Sequence, residues 1–327
     1  MTAPNEARGV VVSGTGGVWR VRLDGGATIE ASLRGRLKKS NSGKRADGSL
    51  RRDTISAAAS TLKLAVGDDV RLDQPDGGDT WAIAEILPRR SRLARRAPGG
   101  GQGERILVAN VDQVLVMCAA AKPEPHPRML DRFLVIAEGN DLHARIIINK
   151  IDLVGEAAAR ARFAHYERIG YPVHYTCVKT GIGLAELHAV LAGRRSVLTG
   201  PSGVGKSSLL NALFPGSNLR VGDISESVNK GRHTTVGALM LPLPDADGGF
   251  VIDTPGLREV GLWGFPAESL EQCFPEIRRF REECRFANCR HRAEPDCGVR
   301  AAIETGDVSA ERYDSYVRLL EELDSDR

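Results

Sequence analysis

The chain has 327 residues, 42% of them hydrophobic, with six cysteines and a formal net charge of +3. That length gives room for two or three domains with their own cores, so stabilisation by many disulfides is not required. The first twenty residues lack the cationic start and apolar block of a secretory signal, and no apolar run reaches the ~18 residues of a membrane span. A soluble, cytoplasmic protein without membrane attachment is expected. The charge is unevenly spread. Eight basic residues face Asp47 alone between Ala31 and Arg52, and six face Glu104 alone between Arg89 and Arg105. Such clusters suit contact with a polyanion or simply solvated loops.

From Gly9 to Pro88 the pattern is that of short strands. "GVWRVRLDGG" alternates Trp19, Val21 and Leu23 with Arg20 and Arg22 before a turn, and "ATIEASLRG", "VGDDVRL" and "TWAIAEIL" follow. About five such strands predict a small antiparallel β-barrel over residues 1–90. Alternation alone does not separate an oligonucleotide/oligosaccharide-binding (OB) barrel from an SH3-like one. A polar, basic, Gly/Ser-rich loop is expected at 38–56, and a flexible basic Gly-rich linker at 91–104.

From Arg105 buried-type runs ("RILVANVDQVLVMCAA", "ARIIINK", "RSVLTG", "FVIDTPG") alternate with helical stretches. That predicts an α/β domain with a mostly parallel sheet over 105–263. A mainly helical, cysteine-rich unit is expected over 264–327.

"GPSGVGKS", Gly200 to Ser207, fits the phosphate-loop pattern G-x-x-x-x-G-K-[ST], with an apolar strand before it and a helix after it. Gly200, Pro201, Ser202, Gly203, Val204, Gly205, Lys206, Ser207 and Ser208 are candidates to line phosphate oxygens, all but Pro201 through backbone N–H groups. Lys206 would neutralise the β- and γ-phosphates, and Ser207 would offer its hydroxyl to magnesium. The strand end "RIII" leads into Asn149, Lys150, Ile151 and Asp152. A carboxylate there accepts from both the ring N–H and the exocyclic amine of guanine, and adenine lacks that pair of donors. Lys150 would lay its stem over the base. "FVIDTPG" places Asp253 at a strand end, suited to a magnesium ion held through water, and Gly256 where an N–H senses the γ-phosphate. "GRHTTVG" lies between, and Thr234 or Thr235 would reach magnesium only when the γ-phosphate is present.

In most chains with these motifs the phosphate loop comes first; here the guanine-reading segment does. The order N-K-x-D, "TCVKTGIG", phosphate loop, "GRHTT", "DTPG" resembles the circularly permuted GTPases. With a barrel ahead and a cysteine cluster behind, nearly the whole chain is similar to the RsgA (YjeQ) family of small ribosomal subunit biogenesis GTPases. The resemblance implies an OB-fold in front, a zinc domain at the rear, Val178 as a backbone contact in the second guanine segment, and action late in small-subunit maturation. It also implies GTP and GDP as ligands and the small subunit with its rRNA as partners, with the chain a monomer.

Two departures stand out. Cys177-Val178-Lys179 replaces the Ser-Ala-Lys of many relatives, and Leu257 follows "DTPG" where Ras-type enzymes carry a water-orienting glutamine. His233 is the chain's own candidate for that task, and a ribosomal group is the rival, so slow intrinsic hydrolysis accelerated by the small subunit is expected. Because the permutation makes "DTPG" the last strand of the GTPase core, the segment after it is expected to link the switch mechanically to the rear unit.

Cys118, Cys177 and Cys273 read as small buried hydrophobes. Cys284, Cys289, His291 and Cys297 form a C-x₄-C-x-H-x₅-C array, a donor set for one closed, structural zinc site. Arg285, Arg290 and Arg292 beside it would add positive charge suited to phosphate contact. Two other functions compete with a ribosome-stimulated GTPase. One is a nucleotide-gated RNA binder with vestigial hydrolysis, which subunit-stimulated turnover would exclude. The other is an ATP-dependent kinase or transporter subunit, disfavoured by Asn149 and Asp152.

Overall fold

Alternating apolar residues fold the N-terminal part into β1 (Glu6–Thr15), β2 (Val18–Leu23), β3 (Thr28–Leu33), β4 (Asp69–Asp73) and β5 (Trp81–Ile86). The computed structural model describes residues 6–34, 63–74, 80–96, 104–215, 238–244, 248–254 and 265–325. The five strands close in the order β1-β2-β3-β5-β4, with β3 and β5 parallel through Ala31 opposite Trp81 and Leu33 opposite Ile83. That parallel closure is the OB arrangement and decides between the two barrels the alternation left open. Val11, Val21, Val70, Leu72 and Ile83 fill the interior with no measurable exposure. The basic loop expected at 38–56 lies outside the described residues.

The segment expected to be a flexible linker is partly ordered. β6 (Arg92–Arg96) pairs antiparallel with β7 (Glu104–Ala109). Leu93 and Val108, both fully buried, anchor this ribbon, and a run of arginines had hidden the one inward apolar residue of β6.

The central sheet has the order β10-β9-β8-β11-β13-β12. β8 (Gln113–Ala119), β9 (His143–Asn149), β10 (Val173–Tyr175), β11 (Arg195–Thr199) and β13 (Phe250–Asp253) run parallel, and β12 (Leu239–Pro242) is antiparallel to β13. β8 shows how the faces divide. Val114, Val116 and Cys118 pack toward α1 (Pro127–Glu138) and α2 (Glu156–Arg168), while Leu115 and Met117 pack toward α3 (Leu184–Leu191) and α4 (Lys206–Leu213). A strand buried on both faces reads as a continuous apolar run, as "VLVMCA" does.

The rear unit comprises a 3-10 segment (Ala267–Cys273), α5 (Pro275–Phe280), α6 (Gly298–Thr305) and α7 (Ala310–Ser325). It does not have a separate core. Leu270, Phe274, Ile277, Tyr316, Leu319, Leu320 and Leu323 share one apolar cluster with Leu130, Phe133 and Leu134 of α1.

Arg312 of α7 is buried at that junction. Its guanidinium donates to Asp131 of α1 at 2.7 Å and to Glu276 of α5 at 2.6 and 3.2 Å, and it lies 4.5 Å from the Phe274 ring centroid. The Tyr166 hydroxyl of α2 donates to the same Asp131 at 2.8 Å. The barrel joins the same cluster through Val10, Val12 and Val66, and is tied at the amino ends of the parallel strands. There Arg195 of β11 donates to Asp69 at 2.6 and 3.1 Å and to the Gly67 carbonyl at 3.0 Å.

Candidate nucleotide site and cysteine cluster

In open α/β sheets, ligand sites form where carboxyl ends of parallel strands leave a crevice. The motif residues separated in the chain meet there. β11 ends in Thr199 and runs into the loop 200–205, which enters α4 at Lys206. Two glycines are dictated by space and backbone together. Gly200 has φ +142° and a Cβ there would lie 2.1 Å from the Met117 carbonyl oxygen; Gly205 has φ +105° and a Cβ there would lie 2.5 Å from Asn149 Nδ2. Lys206 is buried, and its Nζ donates to the carbonyl of Gly200 at 2.7 Å and to that of Pro201. The ammonium is thereby held over the loop, where a phosphate would exchange for its carbonyl partners. Val204 is buried under the loop, Ser207 is half-buried, and Ser202 and Ser208 are exposed.

Asn149, at the end of β9, ties three motifs together. Its Nδ2 donates to the Val204 carbonyl at 2.9 Å, and its Oδ1 accepts from Val178 N–H and from the Thr176 hydroxyl, both at 3.3 Å. Ile151 is buried in a 3-10 turn (Ile151–Leu153) whose first N–H donates to the Thr176 carbonyl at 3.3 Å. Asp152 stays exposed at the rim, where its Oδ1 accepts from the Cys177 thiol at 3.1 Å. Lys150 lies across the mouth, donating to the Gly203 carbonyl at 2.7 Å and to that of Lys122. Thr176 opens the second guanine segment, but nothing in the sequence assigned its hydroxyl this role.

Asp253 ends β13, is buried, and sits in register opposite Leu198 of β11, two residues before the phosphate loop. The hydroxyl of Ser207 and the carboxylate of Asp253 are hard oxygen donors of the kind magnesium takes. The Thr199 and Thr254 hydroxyls nearby in the chain are buried with no hydrogen-bond partner among the described residues. Polar capacity is thus left over at this end of the sheet, which fits a site that takes a polar ligand. His233, Thr234, Thr235 and Gly256 lie outside the described residues.

The four cysteine-cluster donors also converge. Their ligand atoms lie within 4.8 Å of one another. His291 Nδ1 is 3.5 Å from Cys284 Sγ and 3.4 Å from Cys297 Sγ, and those two sulfurs are 3.9 Å apart. A tetrahedron with bonds of about 2.0–2.3 Å has edges of roughly 3.3–3.8 Å, so the set fits one zinc ion, and the sulfurs are too far apart for a disulfide. His291 turns its other nitrogen, Nε2, to Glu271 Oε2 at 3.2 Å. A carboxylate behind a ligating imidazole fixes its orientation and raises its basicity. Glu271 lies in the 3-10 segment and carried no sequence signal. Cys118 and Cys273 lie away from the cluster, and burial pushes them up to about 11 and about 12.

One expectation is corrected. The three arginines beside the cluster are already spoken for: Arg285 pairs with Asp296 at 3.0 Å, Arg290 with Asp324 at 2.9 Å, and Arg292 with Glu321 at 2.6 Å. Each of the three thus has a carboxylate beside it, which reduces the positive charge it offers there.

A barrel, a sheet with its guanine-reading strand ahead of its phosphate-loop strand, and a rear Cys₃His cluster together define a circularly permuted GTPase with two flanking domains. A model of the RsgA GTPase family matches residues 86–263. The small ribosomal subunit biogenesis GTPase RsgA of Gemmatimonas aurantiaca is 57% identical over 316 residues, covering 96% of this chain and 97% of the relative. Its counterpart in Shewanella oneidensis is 39% identical, covering 86% and 80%. Among solved structures, YjeQ from Thermotoga maritima matches with a TM-score of 0.76 at 34% identity, covering 98% of this chain and all of that one. YloQ, described as a circularly permuted GTPase, matches with a TM-score of 0.71 at 27% identity, covering 99% and 96%. The chain belongs to the RsgA GTPase family. No helix among the described residues is long and apolar enough to cross a membrane.

Proposed function

We propose that this chain is a cytoplasmic, monomeric GTPase that binds the small ribosomal subunit and its rRNA and assists late maturation of that subunit, with turnover stimulated by it. The observation that carries the reading is the Asn149 tie, which holds the N-K-x-D segment, the second guanine segment and the phosphate loop in one pocket. The names of the relatives support the ribosomal part.

In this reading the backbone of 200–208 wraps the phosphates and Lys206 neutralises them. Ser207 and Asp253 hold magnesium, which when bound screens the charge on the phosphate oxygens. Asp152 accepts from the guanine ring N–H and its amine, steadied by the Cys177 thiol. Ile151 and Val178 frame the base, with Lys150 across it. Thr234 or Thr235 and Gly256 respond to the γ-phosphate, and His233 orients water until the subunit completes the site. Cys284, Cys289, His291 and Cys297 hold a structural zinc. The working units are 1–90, 91–104, 105–263 and 264–327.

Base selectivity tests the pocket. Xanthine carries a carbonyl where guanine carries its exocyclic amine, so an amide at position 152 can donate to it. Asp152→Asn is expected to lower GTP turnover about 100-fold and to admit xanthosine triphosphate. A variant that still prefers GTP would remove Asp152 from the base site.

A further inference from the structure

Most arginines on the described surface are paired with carboxylates, so the unpaired ones mark where positive charge remains available. Several of them gather around a groove of about 1100 Å³, lined on one side by the amino end of β9 and on the other by the 3-10 segment and α5. Arg145, Arg194 and Arg278 line it, and among the described residues none has a carboxylate within ion-pair distance. Arg145 and Arg194 instead both donate to one neutral acceptor, Gln113 Oε1, at 2.8 and 3.4 Å. Among the described residues Arg278 donates to the Gln272 carbonyl alone, at 3.2 Å. An adjoining cavity of about 270 Å³ shares Ile169 and Pro275 with the groove and adds Arg168 and Arg279, equally without carboxylate partners.

Two guanidiniums turned onto a single amide oxygen repel each other, and burial adds to the cost. The Arg145 pKa is lowered by that burial and by the charge of Arg194. An anion between or beside them would relieve both effects. The acidic residues of the two cavities are outnumbered. Six arginines, counting Arg312, line the two cavities against four carboxylates, Glu138, Asp141, Glu276 and Asp307, and Glu276 is committed to Arg312.

We infer that this groove is a docking surface for an RNA phosphate backbone, on the face opposite the nucleotide pocket and apart from the cysteine knuckle. Five guanidiniums along two connected cavities suit a repeating anion better than one small phosphate. Arginine forks match phosphate oxygens two at a time. The inference rests on the RNA-binding part of the proposed function and names a surface for it.

The test uses the full chain with zinc bound and a 20-base-pair RNA duplex, with affinity measured across a salt series. Arg194→Gln/Arg278→Gln removes two exposed, unpaired charges. Arg128→Gln/Arg160→Gln, which removes two charges already paired with Asp314 and Glu156, matches it in net charge. Each lost phosphate contact lowers the slope of log affinity against log salt by about 0.7–0.9. The groove variant is expected to lose about 1.5 in slope and about tenfold in affinity near 0.1 M salt, Arg278→Gln alone about half that slope, and the matched control almost nothing. Intrinsic GTP turnover should be unchanged in all three, which reports an intact fold. Equal slopes for wild type and groove variant, or an equal loss in the control, would overturn the inference. Small subunits form a separate arm: if wild type binds the duplex with the predicted slope change but ignores small subunits, the groove stands and the ribosomal reading falls.

Discussion

The GTPase core meets both neighbours through one apolar cluster but ties each with a different kind of ion pair. On the barrel side Val10, Val12 and Val66 enter that cluster, and the ion pair at the amino ends of the strands, Arg195 with Asp69, is 16% and 32% exposed, so water and salt reach it. The rear unit is bonded through Arg312, Asp131 and Glu276, which are 1%, 0% and 3% exposed, inside a cluster of aromatic and aliphatic side chains. A partly exposed ion pair sets orientation at little cost to either domain alone. A buried arginine with two carboxylates fixes a docking geometry, because a shifted helix would strand charge in an apolar medium. The rear unit is therefore an extension of the GTPase core. Any motion passed to it by the switch must repack α1 against α7 as well as move the segment after "DTPG", which sharpens the mechanical link expected from motif order.

The comparison breaks first at Arg312. Arg312→Ala leaves two buried carboxylates unpaired and is expected to cost about 3–5 kcal/mol in urea unfolding. The triple change Asp131→Asn, Glu276→Gln, Arg312→Met should recover most of it, since the charges leave together. A loss below about 1 kcal/mol for Arg312→Ala would mean that the junction is wet. Next comes the metal end of the rear unit. Glu271→Gln keeps the shape but weakens the acceptor behind His291, and zinc affinity measured by chelator competition should fall about 10–100-fold. An unchanged affinity would separate Glu271 from the cluster. The smallest effect is expected at the barrel. Arg195→Met should cost about 1 kcal/mol or less, and the cost should shrink further at high salt. A loss matching Arg312→Ala would erase the distinction between the two docking modes.

What could be read in advance was what is local. The phosphate loop, N-K-I-D and the Cys₃His spacing each fit within about fifteen residues, and backbone geometry turns such spacing directly into a site. The barrel and the α/β sheet showed through the alternation and the buried runs. The Asn149 tie could not be read, because its partners are 27, 29 and 55 residues away and consist largely of backbone atoms. Arg312 and Asp131 are 181 residues apart, and neither charge advertises burial in a chain where 27% of residues are charged. The arginines of the knuckle misled for the same reason. Composition counts charges, whereas only the fold shows which of them are paired.

The proposed function turns on a GTP-hydrolysing site that the small ribosomal subunit would complete. The most direct measurement is GTP turnover by the purified chain alone, with small subunits and with large subunits, using Lys206→Ala as the blank. Stimulation by small subunits only, absent from the blank, is the predicted result. Equal turnover in all three mixtures would contradict it and would favour a nucleotide-gated RNA binder whose hydrolysis is vestigial.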